Sequence, residues 1–322
     1  MKISYVIPVL NEEESLNQLY TEIVQHNPDC EYEIIFIDDG STDQSYQVMS
    51  ALAASDNKVK LIRFRRNFGK AAALQVGFQL TDGDLVFTLD ADLQDDPAEI
   101  PNFIAKLKEG FDLVSGWKKK RHDPLYKTLP SKLFNFITAK TFKLYIKDFN
   151  CGYKLYKQEV VKEITLYGEM HRYIPALANA LGFKIGELPV NHRARTFGKS
   201  KYGMERYLRG FFDLLTVKMV TFYVKSPLYL FGRIGIISVV LGVILTGYLA
   251  ALKIFMGQPL TNRPLLFLGI LLILAGLQFV SMGLISELII NRSQTKNNQL
   301  ISIRETANLT PEKLKSCMTE HA

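Results

Sequence analysis

The chain has 322 residues and a formal charge of +7, enough length for a core domain of about 200 residues and an appendage. Its three cysteines, Cys30, Cys151 and Cys317, are scattered; the spacing excludes a cysteine metal site and reads as free thiols in a reducing compartment. The basic excess gathers between Arg193 and Arg233, where Arg193, Arg195, Lys199, Lys201, Arg206 and Arg209 meet only Glu205 and Asp213. Such a block suits nucleic acid or an anionic membrane surface, and the apolar sequence that follows decides for the membrane.

The N-terminus, MKISYVIPV, lacks the long apolar region and cleavage site of a signal peptide. It reads as a strand, Ile3 to Val9. A helix is expected over Glu12 to Gln25, with Leu16, Leu19, Tyr20 and Ile23 at helical spacing. A second strand, Glu33 to Ile37, ends in Asp38-Asp39-Gly40-Ser41, and Ser41 or Thr42 is expected to cap the helix through Val48 and Leu52. Val59 to Arg63 is a strand, Gly69 to Gln79 a helix and Leu85 to Leu89 a strand. Asp96-Pro97 opens another helix with proline in its first turn, and Leu113 to Ser115 is a fifth strand. This alternation predicts an α/β fold with a doubly wound, mostly parallel sheet. After Gly116 the pattern loosens. A basic stretch, Lys118 to Arg121, precedes a helical segment around Lys132 to Phe142 and the stretch DFNCGYKLY, Asp148 to Tyr156. His171-Arg172-Tyr173 opens a further helix, Lys184 to Val190 is a strand, and Asn191 to Gly203 a polar loop.

Residues 204–227 mix aromatic and aliphatic residues with cations and read as amphipathic helix at a membrane interface. Ile234 to Leu252 and Pro264 to Ser286 carry no charge, and each approaches the ~20 residues needed to cross a bilayer core. Lys218, Lys225 and Arg233 precede the first run, and Arg292, Lys296 and Arg304 follow the second. By the positive-inside rule both flanks are cytoplasmic and the connecting loop is outside. The expected organisation is a cytoplasmic catalytic domain over 1–203, juxtamembrane helices over 204–227, a hairpin over 228–290 with spans near 230–252 and 264–287, and a polar, mobile cytoplasmic tail over 291–322. Gly235 and Gly242 lie seven apart, as do Gly269, Gly276 and Gly283. That spacing marks a close helix–helix face, used either inside the hairpin or between copies of the chain.

The densest chemistry lies in Thr88-Leu-Asp-Ala-Asp-Leu-Gln-Asp-Asp-Pro97. A strand ending in Asp90-Ala91-Asp92 puts two carboxylates at the carboxyl edge of a sheet, where open α/β sheets bind ligands. Carboxylates suit Mg²⁺ or Mn²⁺, which commonly also hold phosphate oxygens. Three other segments fall at strand carboxyl ends: VIPVLNEE from Val6, DDGSTD from Asp38, and the turn Arg66-Asn67-Phe68-Gly69-Lys70. Backbone amides and Asn11 in the first could grip a base or ribose, and the carboxylates of the second could accept from uracil, guanine or ribose. Some of these residues also have plain structural uses. Asp43 suits a helix cap, Asp95 and Asp96 a helix N-terminus, Lys118 to Lys120 a solvated run, and Trp117 packing.

In this order the segments resemble glycosyltransferase family 2, with its GT-A fold. The nearest likeness is to the polyprenyl-phosphate glycosyltransferases, a group with dolichol-phosphate mannosyltransferase and bacterial undecaprenyl-phosphate glucosyltransferases. The resemblance rests on VIPVLNEEES, IDDGSTD, RNFGKAAAL, LDADLQDDP, DFNCGYKLY and RTFGKSKYG, followed by two spans. It implies inverting transfer of a sugar from a nucleotide sugar, UDP-glucose first, to a polyprenyl phosphate such as undecaprenyl phosphate, at the inner membrane. It also implies roles. Pro8, Asn11, Glu12, Asp39, Lys70 and Asp90 would bind the nucleotide sugar. Asp90, Asp92 and Gln94 would hold Mg²⁺ or Mn²⁺, and Asp92 and Asp148 would be the catalytic carboxylates. Arg121, Ser131, Arg193, Arg195, Ser200 and Lys201 would meet the acceptor phosphate or the diphosphate. The acceptor oxygen is already anionic, so Asp148 is expected to orient more than to abstract a proton. Processive polysaccharide synthases share the fold, but their Gln-x-x-Arg-Trp segment is absent around Trp117, the only tryptophan. A membrane-anchored binding protein without turnover remains the alternative from another class.

Overall fold

The computed structural model describes residues 1–119, 137–142, 144–193, 227–257, 259, 264–293 and 303–308. It divides into two compact units, Met1–Val217 with Asn297–Ala322, and Lys218–Lys296.

The first unit is built on one eight-stranded sheet. In chain order the strands are β1 (Lys2–Val9), β2 (Glu31–Asp38), β3 (Val59–Phe64), β4 (Leu85–Thr88), β5 (Leu113–Lys118), β6 (Lys154–Lys157), β7 (Ile185–Val190) and β8 (Ile303–Ala307). Their order across the sheet is β7-β5-β6-β4-β1-β2-β3-β8. β1 pairs in parallel with β2 and β4, β2 with β3, and β5 with β7; β6 and β8 run antiparallel to their neighbours. The central strands are apolar almost throughout because helices cover both faces. Tyr5 stacks on Phe87 with ring centroids 5.6 Å apart, and Phe103 meets Tyr153 at 4.5 Å. Pro8 fits a central strand because pairing of β1 with β4 ends at Val6, so no ladder on that side needs its missing N–H.

The helices are α1 (Leu16–His26), α2 (Ser45–Ser55), α3 (Lys70–Leu80), α4 (Ile100–Lys108), α5 (Gln158–Glu163) and α6 (Ile174–Ala180). Residues 137–142 are also helical, within the segment read as helix. α1 starts at Leu16, the first residue of its apolar spacing and four residues after the expected start at Glu12. Asn11 takes a left-handed turn, φ 51°, and its N–H donates to Ser41 Oγ at 3.0 Å. The Ser15 hydroxyl donates to the Ala91 carbonyl at 2.6 Å. Neither Ser41 nor Thr42 caps α2; the N–H of Ser45 donates instead to Asp43 Oδ1 at 2.9 Å. Asp96 caps the short turn Pro97–Glu99, accepting from the Ala98 N–H at 3.1 Å.

Two strands differ from the sequence reading. β6 enters between β4 and β5, and its buried Lys154 breaks the apolar pattern by which a central strand is recognised. β8 lies in the segment read as a polar, mobile tail. It covers the free edge of β3, an edge that otherwise exposes unpaired backbone groups. Asn308 then donates to the carbonyls of Ala53 and Val59 at 2.7 and 2.8 Å. Lys118 is not a solvated cation either: its side chain is largely buried and lies 3.2 Å from Asp95 Oδ1.

The second unit is a pair of helices, α7 (Pro227–Met256) and α8 (Pro264–Ser293), with mean hydropathies of 2.3 and 2.4 over their most apolar stretches. They fit a transmembrane hairpin. The glycine spacing is used inside it. A Cβ on Gly235 would lie 2.6 Å from the Gly276 carbonyl oxygen, and one on Gly242 2.6 Å from that of Gly269. The backbones therefore pack at a distance only glycine allows. The segment 204–226, read as juxtamembrane helix, lies outside the described residues.

Candidate active site

Register brings the chemistry together. Val9 at the end of β1 is level with Asp38 at the end of β2, and β4 runs parallel on the other side of β1. The turns after β1, β2 and β4 therefore open on one sheet edge, joined by the turn before α3. They enclose a cleft of about 310 Å³ lined by Pro8, Glu12, Asp39, Lys70, Asp90 and Asp92, together with Val9, Leu10, Asn67, Gly69, Ala91, Glu169 and His171.

Each carboxylate is held differently. Asp39 accepts the N–H of Phe68 at 2.7 Å and that of Gly69 at 3.0 Å, at the entry to α3. Burial outweighs those bonds and raises its pKa to about 6, with Asp38 beside it adding to the rise. Asp38 points elsewhere, accepting from the Ser41 N–H at 2.8 Å and facing Arg63 Nε at 3.3 Å. Asp90 is ion-paired with Lys70. Burial works against its ionised form, but Lys70, Lys118 and Lys154 prevail and hold it well below the usual carboxylate range. Asp92 is buried and accepts the Gln94 N–H at 3.2 Å. A Cβ on Gly152 would come within 2.7 Å of the Asp90 carboxylate, so the backbone of that glycine is the floor on which Asp90 rests. That floor is fixed by the Thr88 hydroxyl, which donates to the Gly152 carbonyl at 2.7 Å, and by Lys154, which donates to the Cys151 carbonyl.

Other expected site residues lie elsewhere. Asn11 Oδ1 accepts the Thr42 N–H at 2.7 Å, joining two turns beside the cleft. Gln94 accepts the Arg193 N–H at its carbonyl, 3.0 Å away. Arg193 places its guanidinium on Glu22 and Asp96, at 2.6 and 2.7 Å. Asp148 is buried at a turn, accepting from the Asn150 N–H at 3.1 Å, and is not among the lining residues. Arg121, Ser131, Arg195, Ser200 and Lys201 lie outside the described residues.

Glu169 and His171 line the cleft without having been singled out for it. They arrive from a distant segment, and no spacing ties them to the Asp-x-Asp; the helix-opening His171-Arg172 was the only trace. Burial, then Lys70 and Arg172, push the His171 pKa well below its ordinary value, so the imidazole is neutral.

A cleft at the carboxyl edge of a mostly parallel sheet is where open α/β sheets bind ligands, and this one is rich in carboxylates. The family model for Glycosyl transferase family 2 matches residues 4–165, which contain most of β1, all of β2 to β6 and all but two of the lining residues. The chain belongs to glycosyl transferase family 2. Within this family of sugar-transferring enzymes it falls among the polyprenyl-phosphate glycosyltransferases. It is 33% identical over 296 residues to dodecaprenyl-phosphate galacturonate synthase of Rhizobium johnstonii, covering 90% of this chain and 88% of the relative. It is 36% identical over 295 residues to undecaprenyl-phosphate 4-deoxy-4-formamido-L-arabinose transferase of Salmonella paratyphi B, covering 89% and 88%. Among solved structures, glucosyl-3-phosphoglycerate synthase of Mycobacterium tuberculosis superposes with a TM-score of 0.55 at 18% identity, covering 68% of this chain and 78% of that one. That likeness gives the family 2 glycosyltransferase its GT-A-like sheet.

Proposed function

We propose that this glycosyltransferase moves a single sugar from a nucleotide sugar, a UDP-sugar with glucose first, to the phosphate of a membrane polyprenol such as undecaprenyl phosphate. The observation that carries the reading is that one chain holds both the carboxylate cleft and the apolar hairpin, over a length that relatives acting on dodecaprenyl and undecaprenyl phosphate match to nine-tenths.

In this reading Pro8, Glu12 and Asp39 receive the nucleoside. Asp90 and Asp92 are hard oxygen donors on one cleft, and Asp90 is kept ionised. Among the described residues no third His, Cys, Asp or Glu joins them in a cluster. The pair therefore suits a cation that shares its coordination with substrate phosphates and retains water, as Mg²⁺ does. Such a cation would neutralise the departing diphosphate. The acceptor phosphate oxygen attacks the anomeric carbon. The bond from that carbon to the donor phosphate breaks, the nucleoside diphosphate leaves with the electron pair, and in-line displacement inverts the configuration. Asp148, buried at its turn, orients the neighbouring backbone. Arg121, Ser131, Arg195, Ser200 and Lys201 are assigned to the acceptor phosphate and the diphosphate, where Arg and Lys position phosphate oxygens. Arg193 belongs to this set on resemblance, and its guanidinium is paired to Glu22 and Asp96.

We place the protein in the inner membrane with the catalytic unit and both termini cytoplasmic. β8 follows the hairpin in sequence yet pairs with β3, so chain from both sides of the hairpin belongs to one sheet. That supports both hairpin ends lying on one side of the membrane, as do the flanking cations.

The test is a transfer assay on the detergent-solubilised chain with undecaprenyl phosphate, Mg²⁺ or Mn²⁺ and a panel of UDP- and GDP-sugars. One sugar entering the lipid fraction, with loss on chelation, is the expected result. Nucleotide binding without transfer from any donor would favour the binding protein without turnover. Excising 228–290 with a short linker that retains β8 should lower transfer to long-chain acceptors about a hundredfold while sparing nucleotide binding, by loss of local acceptor concentration. Undiminished transfer would contradict delivery through the membrane.

A further inference from the structure

The site residues above account for the nucleotide, the diphosphate and the acceptor, but not for the identity of the sugar. The wall of the cleft that adjoins Asp90 and Lys70 is formed by the turn Met170–Tyr173 and the residue before it, which bring Glu169 and His171 into the lining. Glu169 is anchored from behind. Its carboxylate receives Arg172 at 2.9 Å, and that arginine side chain is only 8% exposed. His171 Nε2 lies 3.9 Å from the same carboxylate. Of the cations at this end of the described cleft, Arg172 is ion-paired with Glu169 and Lys70 with Asp90, and Lys154, buried beneath Asp90, donates to the Cys151 carbonyl, while Glu12, Asp39, Asp90, Asp92 and Glu169 supply carboxylates to the lining.

Sugar hydroxyls find suitable partners on such a wall. Glu169 accepts hydrogen bonds, and a neutral imidazole both donates and accepts. A sugar carboxylate would instead meet like charge at close range, which disfavours it. Building on the nucleotide-sugar reading of the cleft, we infer that Glu169 and His171 form its sugar subsite and that Glu169 makes it select an uncharged sugar over a uronic acid. The Rhizobium relative is named for galacturonate, so likeness along the whole chain does not carry the sugar with it.

The experiment measures equilibrium binding to the full-length protein in detergent with Mg²⁺. It uses two matched pairs, UDP-glucose with UDP-glucuronate and UDP-galactose with UDP-galacturonate, and UDP alone. The expected result is that the neutral member of at least one pair binds about 10- to 100-fold tighter than its uronate. Glu169→Gln, which removes the like charge and releases Arg172 toward the cleft, should bring that ratio to within about threefold. Uronates that bind wild type as tightly as their neutral partners in both pairs would overturn the inference without any variant. So would a ratio unchanged by Glu169→Gln. Failure of UDP itself to bind would overturn the underlying reading of the cleft as well, whereas uronate preference with UDP binding intact overturns the sugar assignment alone.

Discussion

The two edges of the catalytic sheet use buried carboxylates in opposite ways. At the amino edge, Glu33 on β2 accepts the Ser4 hydroxyl at 2.5 Å and the Asp82 N–H at 2.8 Å, and pairs with Lys60 and, at 3.3 Å, with Lys2. Burial alone would raise its pKa, but these partners hold it below the usual range. At the carboxyl edge, Asp39 on the continuation of the same strand accepts from the backbone N–H groups of Phe68 and Gly69, opens on the cleft, and is raised to about 6. One carboxylate closes the fold; the other is left where a ligand can complete its surroundings. The contrast follows from topology. Parallel strands gather their connecting turns, with exposed N–H groups and helix N-termini, at the carboxyl edge.

This contrast predicts that substitutions at the two edges separate activity from stability. The largest effect belongs to the carboxyl edge. Asp92→Ala should lower transfer about a thousandfold, equivalent to about 4 kcal/mol, and weaken Mn²⁺ binding in the presence of UDP, with the unfolding midpoint unchanged. Full activity would end the metal assignment. At the amino edge, Glu33→Ala leaves Lys60 buried without its main partner and should cost about 3 kcal/mol of stability, read by denaturant unfolding. The properly folded fraction should keep its turnover. Because the Glu33 pKa is lowered on folding, its contribution is complete above the ordinary carboxylate range and is lost as pH falls toward the folded value.

The smallest effect is the most particular. A nucleoside that needs the Asp39 carboxylate as acceptor binds its ionised form, so affinity should be level above pH 6 and fall about tenfold per unit below it. Asp39→Asn should remove that dependence at the cost of affinity. For folding the sign is reversed: a raised pKa makes this group an increasing burden on stability as pH climbs from the ordinary carboxylate range through about 6. Binding that stays level to pH 4.5 would show that Asp39 does not touch the nucleotide.

Legibility in the sequence followed the physics of each element. β1, β2 and β4 announce themselves by apolar runs and β3 by an apolar pattern broken at Lys60 and Arg63, and each is followed by a polar turn. Six of the residues assigned from those turns do meet in one cleft: Pro8, Glu12, Asp39, Lys70, Asp90 and Asp92. β6 was illegible because it has only four residues and a lysine in its buried part. β8 was illegible because an edge strand of sequence IRETA owes its place to pairing with β3 rather than to its own apolarity. Glu169 and His171 were illegible because only tertiary packing brings them to a cleft whose other residues end at Asp92. The two apolar helices were legible, since crossing a bilayer demands little beyond length and apolarity, though both run longer than the expected spans. Which face their glycines serve was settled only by the packing of Gly235 on Gly276 and Gly242 on Gly269.

The most direct test of the central claim is to identify both products of one turnover by the full-length protein in detergent, with undecaprenyl phosphate and the donor it accepts. Transfer of the sugar alone predicts a lipid monophosphate sugar formed one-for-one with nucleoside diphosphate. Release of nucleoside monophosphate with a lipid diphosphate sugar, or of free sugar with unaltered lipid, would contradict it.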